Sequence, residues 1–140
     1  MIIVKIISTP FKQDFIFSSS SYLATGMMDI GRINRPHIWR PPTDVFECEN
    51  EIVVRVEIAG MEESDFTITI DQNYLLIQGV RNDSSTRLAY HQMEIRFGEF
   101  STFVELPDSV IINEARAEYE KGFLQVILPK NNPSRLHIKK

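Results

Sequence analysis

Cys48 is the one thiol in 140 residues. It lies between Glu47 and Glu49, whose charges disfavour the thiolate that nucleophilic or metal chemistry needs. The three histidines, His37, His91 and His137, are scattered, and none stands at metal-ligand spacing from Cys48. His91 and Glu94 look like an acid/base pair, but on an extended strand residues three apart face opposite sides. The run Glu47-Cys48-Glu49-Asn50-Glu51 offers carboxylates to a cation, and reads more simply as a solvated turn. No glycine-rich phosphate loop is present, so neither ATP nor another cofactor is expected. The groups that do chemistry are not brought together, and the expected reading is not an enzyme: no catalytic, cofactor-binding or metal-binding residues are assigned.

Interaction chemistry is better represented, and it sits at the two ends. Leu136-His137-Ile138 places two aliphatics one residue apart, so in an extended segment Leu136 and Ile138 point the same way. Pro133 keeps the chain before them extended. Seating both side chains in a groove on another domain would contribute roughly 3–5 kcal/mol before ordering costs. At the other end, residues 1–41 combine Phe11, Phe15, Phe17, Tyr22, Met27, Met28 and Trp39 with the serine run Ser18–Ser21. Aromatics and methionines are adaptable, high-area contact groups. On a mobile arm they serve either to hold unfolded clients or to pack the inside of an assembly or the domain itself. Residues 1–7 are hydrophobic, but Lys5 interrupts them and no small-residue cleavage site follows, so a signal peptide is not expected.

Charge separates the ends from the middle. Residues 1–41 carry five basic and two acidic side chains, residues 42–128 six and seventeen, and the last twelve residues four and none. An acidic middle argues against a nucleic-acid-binding core. It allows basic ends to dock on the acidic domains of neighbouring chains, an attraction that salt weakens. No run reaches the ~20 apolar residues of a membrane span, so stable membrane insertion is not expected. A single cysteine fits a reducing, cytoplasmic setting.

The elements that must position these ends are strands. Glu51–Ile58 alternates, with Ile52, Val54, Val56 and Ile58 on one face. Asp65–Asp71 alternates too, and Gln72-Asn73 connects it to Tyr74–Gly79 as a hairpin. Phe100, Thr102, Val104 and Leu106 share one face, and Pro107-Asp108 ends that strand. Arg116–Glu120 and Phe123–Leu128 flank a turn at Lys121-Gly122, where glycine takes positive φ freely. One helical turn fits Ala59–Ser64. About eight short strands with frequent turn signals predict an all-β, immunoglobulin-like antiparallel sandwich over 42–130. A hydrophobic, aromatic arm (1–41) precedes it, and a tail (131–140) with the Leu-x-Ile clip follows; both extensions are expected to be flexible.

In order and spacing these strands resemble the α-crystallin domain of small heat-shock proteins. Pro42–Glu47 looks like that family's opening strand, and Val56-Glu57-Ile58-Ala59-Gly60-Met61 like its D/E-L-P-G-V/M corner, with Ala59 where proline is usual. Leu75-x-Ile77-x-Gly79-x-Arg81 is similar to L-x-I-x-G-x-R. Tyr90-His91-Gln92-Met93-Glu94, then Phe97-Gly98-x-Phe100 and Leu106-Pro107, follow the family's Y-H-R-x-E-R-x-x-G-x-F pattern and its L-P ending. Ala117-(x)4-Gly122-x-Leu124 closes the domain, and Leu136-x-Ile138 matches the I-x-I clip.

The resemblance implies an ATP-independent holding chaperone: a homodimer of sandwiches, linked by tail clips into a larger homo-oligomer, that captures unfolding proteins. It also implies a clip-accepting groove between the strand with Ile68 and Ile70 and the one with Ala115 and Ala117. A second reading is an adaptor of the CS-domain co-chaperone type, a sandwich that recognises one folded partner. Two departures stand out. Ile95 and Thr102 occupy positions where the family has arginines associated with dimer contacts, with Arg96 adjacent as a substitute. The segment 82–89 is also short for the loop that many relatives swap between partners, so the dimer mode stays open.

Overall fold

Alternating aliphatics give nine strands among the residues described by this computed structural model, which are 2–3, 6–8 and 37–131. They are β1 (Ile2–Ile3), β2 (Ile6–Ser8), β3 (Thr43–Glu47), β4 (Glu51–Glu57), β5 (Phe66–Asp71), β6 (Tyr74–Arg81), β7 (Gly98–Glu105), β8 (Arg116–Glu120) and β9 (Phe123–Pro129). One sheet has the order β1-β8-β9-β4-β3 and the other β2-β5-β6-β7. All neighbours are antiparallel except β2, which runs parallel to β5.

The period of two decides what lies between the sheets. From the first sheet come Ile52, Val54 and Val56 of β4, Ala117 and Tyr119 of β8, and Leu124, Val126 and Leu128 of β9. Phe66, Ile68 and Ile70 of β5, Leu75 and Ile77 of β6, and Phe100 and Val104 of β7 meet them from the second. Leu106, just past β7, closes the same core, while Pro107 is exposed beyond it. The expected face of Phe100, Thr102, Val104 and Leu106 is therefore the buried one.

Both hairpins form at the expected residues. Asp71 pairs with Tyr74 across Gln72-Asn73, with positive φ at Gln72. Glu120 pairs with Phe123 across Lys121-Gly122, where both residues have positive φ (52° and 82°). Two positive φ values describe a type I′ turn, whose twist suits a two-residue hairpin. The helical turn is a single 3-10 turn at Glu63–Asp65, slightly later than expected, with the Glu62 amide donating to the Asp65 carboxylate at 2.8 Å.

Four features differ from the sequence reading. Residues 2–3 and 6–8, read only as a hydrophobic opening, are edge strands. Trp39, grouped with the arm aromatics, is 6% exposed and packs on the sandwich. Its amide donates to Glu99 O at 3.1 Å and its carbonyl accepts from Ser101 N at 3.0 Å. The reason is local: Phe66, Phe100 and the start of β7 leave an aromatic recess, and Trp39 lies 5.7 Å from the Phe100 ring. Residues 82–97 hold no strand, so His91 and Glu94 are not on an extended ladder. Lys130, counted with the basic tail, is buried and pairs with Glu47 at 3.4 Å.

Candidate functional site

The side of the sandwich where β5 and β8 lie just inside the short edge strands β2 and β1 carries the first candidate surface. Ile68, Ile70 and Ala117 are fully buried, and Ala115, just before β8, packs against the core. Their side chains thus belong to the interior, and what β5 and β8 turn outward along the sheet plane is backbone. Both edges already carry short strands. β1 pairs with β8 (Ile2 with Tyr119, Ile3 with Glu118), and β2 pairs with β5 (Ile6 with Ile68, Ile7 with Thr69, Ser8 with Ile70).

Several motif residues hold this frame rather than contact a ligand. Gly79 lies under Phe100, and Gly122 approaches Ala59, with Ile58 N donating to Gly122 O at 2.8 Å. Gly98 has φ +94° and open space where a Cβ would stand, so backbone conformation alone favours glycine there. Leu124 is fully buried. The Tyr119 hydroxyl, reached by no motif in the sequence, donates to Ile58 O at 2.8 Å and accepts from Met61 N at 3.3 Å. It ties β8 to the chain crossing from β4 to β5.

The second candidate surface is the 82–97 loop. Leu88 is fully exposed, with Ile95 at 64%, Met93 at 63% and Tyr90 at 43%. Large apolar groups this exposed on one segment mark a contact surface. Asp83 organises the loop: it accepts from Tyr90 Oη and from Ser85 N, and pairs with Arg87 at 2.7 Å. Arg87 lies 4.5 Å from the Tyr90 ring centroid. The Tyr90 hydrogen bond, aided by Ser85 and Arg87, pulls the Asp83 carboxyl below its ordinary value; the same bond pushes the Tyr90 phenol up.

Arg81 anchors the far end of that loop. Its guanidinium donates to Arg96 O (Nε, 2.9 Å) and Ala59 O (3.1 Å), and stands 4.7 Å from the Trp39 ring and 5.4 Å from Phe97. Partial burial lowers its pKa, yet guanidinium stays protonated in proteins. Arg96 thus contributes its carbonyl here. Thr102, one of the two departures from the family pattern, is fully buried and shares a 3.1 Å hydrogen bond with Thr43 on β3, joining the two sheets.

The remaining candidates are quickly placed. Leu136, Ile138, Phe11, Phe15, Phe17 and Tyr22 lie outside the described residues. Cys48 is exposed. Glu47 pairs with Lys130 and Glu51 with Arg116 at 3.7 Å, so two carboxylates of the acidic turn already face cations. Glu94 accepts from Gln92 at 2.6 Å. Among the described residues no three His, Cys, Asp or Glu groups converge as a metal site, and no helix is long and apolar enough to cross a membrane.

Known proteins resemble the chain over the same region. The model of the Hsp20/alpha crystallin family matches residues 44–140. Small heat shock protein C4 of Rickettsia felis is 32% identical over 70% of this chain and 61% of its own length, so the chain spans about three fifths of that relative. Among solved structures, heat shock protein 16.0 from Schizosaccharomyces pombe superposes with TM-score 0.64 at 30% identity, covering 72% of this chain and 94% of that one. The hspA protein from Xanthomonas axonopodis gives 0.62 at 28% identity, covering 68% and 97%.

Proposed function

The chain belongs to the Hsp20/alpha crystallin family of small heat shock proteins, and we propose that it is an ATP-independent holding chaperone acting as a dimer-based oligomer. The observation that carries the reading is the apolar exposure gathered on the 82–97 loop, at Leu88, Tyr90, Met93 and Ile95. A holding surface must offer apolar area without demanding one partner shape, and a loop of long side chains meets that need. Phe11, Phe15, Phe17 and Tyr22 extend the same chemistry, whereas Trp39 belongs to the core.

Self-association uses two devices. The 82–97 loop of one copy meets the outer edge of β3 on another, where Val45 is exposed and no strand is paired among the described residues. Ile95, 64% exposed, gives that contact an apolar side chain, whereas Thr102 lies inside the sandwich and takes no part in it. The clip Leu136-x-Ile138 then links dimers, and replacing both residues by glycine reduces particle mass. Clients are unfolding proteins, and the exposed lone thiol of Cys48 suits the cytoplasm.

Light scattering of a heat-labile enzyme, mixed with the protein in the absence of ATP, tests the reading. Suppressed aggregation at stoichiometric ratios is expected. No suppression, together with a monomer mass, favours the single-partner adaptor instead.

A further inference from the structure

Residues 2–3 and 6–8 reach both sheets at the same side of the sandwich. β1 adds to β8 of the first sheet and β2 to β5 of the second, with only Val4 and Lys5 between them in sequence. From Ile3 to Ile6 an extended chain spans at most about 10 Å. That matches the roughly 10 Å separation of face-to-face sheets. One short segment therefore has the reach to stitch across the open side and pair with both edges.

Those edges need covering. β5 reads Phe-Thr-Ile-Thr-Ile-Asp, an alternating strand of high β-propensity whose unpaired amides would template another chain. The cover is small: β2 pairs three of the six residues of β5, and β1 two of the five of β8. So few ladder bonds, on a segment joined to the domain by a long connection, make a contact that opens far more readily than the core.

We propose that residues 2–8 are an intramolecular plug that closes the β5 and β8 edges, and that a strand from a second copy of this chain adds there only when the plug leaves. The competitor is the tail segment with Leu136-x-Ile138, whose spacing of two puts both aliphatics on one face of an added strand. Plug release then sets how much edge is open to tails. The choice of competitor rests on the assembly reading above; the plug itself rests on the strand pairing.

Three full-length proteins test it: wild type, Ile3→Pro with Ile7→Pro, and Ile3→Cys with Glu118→Cys in a Cys48→Ser background. The prolines remove an amide donor from each plug strand, and the cysteines cross-link the partner positions Ile3 and Glu118. Hydrogen exchange at Ile68, Thr69, Ile70, Glu118 and Tyr119, and anisotropy of a labelled peptide of residues 131–140, are read on each. If the plug is seated nine-tenths of the time, releasing it tightens peptide binding about tenfold. The expected pattern in the proline variant is faster exchange at those of these amides that point to β1 or β2 and tighter peptide binding, with no binding to the oxidised cross-link until it is reduced. Unchanged exchange at those amides overturns the plug, and equal or absent peptide binding in all three overturns the competition. Aggregation suppression, measured separately, bears on the holding function: its absence in all three, with gated binding intact, would sink that function and leave the plug standing.

Discussion

Gly79 and Phe100 are cross-strand partners on β6 and β7, and the Phe100 ring occupies the space a side chain at 79 would need. A Cβ on Gly79 would lie 2.6 Å from Phe100 Cζ and 2.5 Å from Asp65 O. The ring therefore packs down onto bare backbone, and Trp39 and Phe66 gather around it. Overpacking a core site costs about 1–3 kcal/mol. Gly79→Ala should lower the unfolding free energy by that amount in chemical denaturation; an unchanged value would mean that the Phe100 ring and the Asp65 carbonyl both shift freely.

Tyr119→Phe leaves the Ile58 carbonyl and the Met61 amide without the hydroxyl that bridges them. Leaving such buried groups unmet costs about 1–3 kcal/mol, with little change in packing. Chemical denaturation measures it. A loss below about 0.5 kcal/mol would indicate that water replaces the hydroxyl.

Positions 95 and 102 should respond oppositely to arginine. Thr102 is sealed between the sheets against Thr43, so Thr102→Arg buries a charge without a carboxylate partner and costs several kcal/mol. Ile95 faces solvent, so Ile95→Arg leaves stability within about 0.5 kcal/mol. What Ile95→Arg should change is dimer affinity, read by sedimentation. Equal destabilisation by both would contradict the placement of Thr102.

The Asp83–Tyr90–Arg87 contacts set a pH window for the loop. The Asp83 carboxyl is depressed, chiefly by the Tyr90 hydrogen bond, so its contribution is complete above the ordinary Asp value near 3.9 and is lost as pH falls through the lowered one. The Tyr90 phenol is raised by the same bond, so its contribution is complete below about 10 and is lost as pH rises through the raised value. Hydrogen exchange corrected for intrinsic rate should show Ser85 N–H protection constant between about pH 5 and 9. A change within that range would point to another titrating group.

Much of this was legible in the sequence, for a physical reason. β4 through β9 each turn one face to the core, so a period of two appears in Ile52-Val54-Val56 or Phe66-Ile68-Ile70 and marks the inside, while Val53, Leu76 and Ile127 are buried on the opposite face as well. Lys121-Gly122 marks a turn by its backbone requirement. The rest depends on partners far along the chain. β1 and β2 are too short to show a period, and edges 60 and more residues away make them strands. Trp39 looks like its arm neighbours in composition, and only the recess beside Phe100 makes it core. Lys130 counts as a tail charge until β3 brings Glu47 beside it. Tyr119 belongs to no motif, because its role is a bond to a corner that sequence spacing does not reveal.

Capture of an unfolding protein tests the chaperone claim most directly. A heat-labile enzyme is warmed with the full-length chain, without nucleotide, and the soluble fraction is separated by size. The expected result is a large soluble species containing both chains. Client recovered only in the pellet, while this chain stays soluble at its original size, would contradict it.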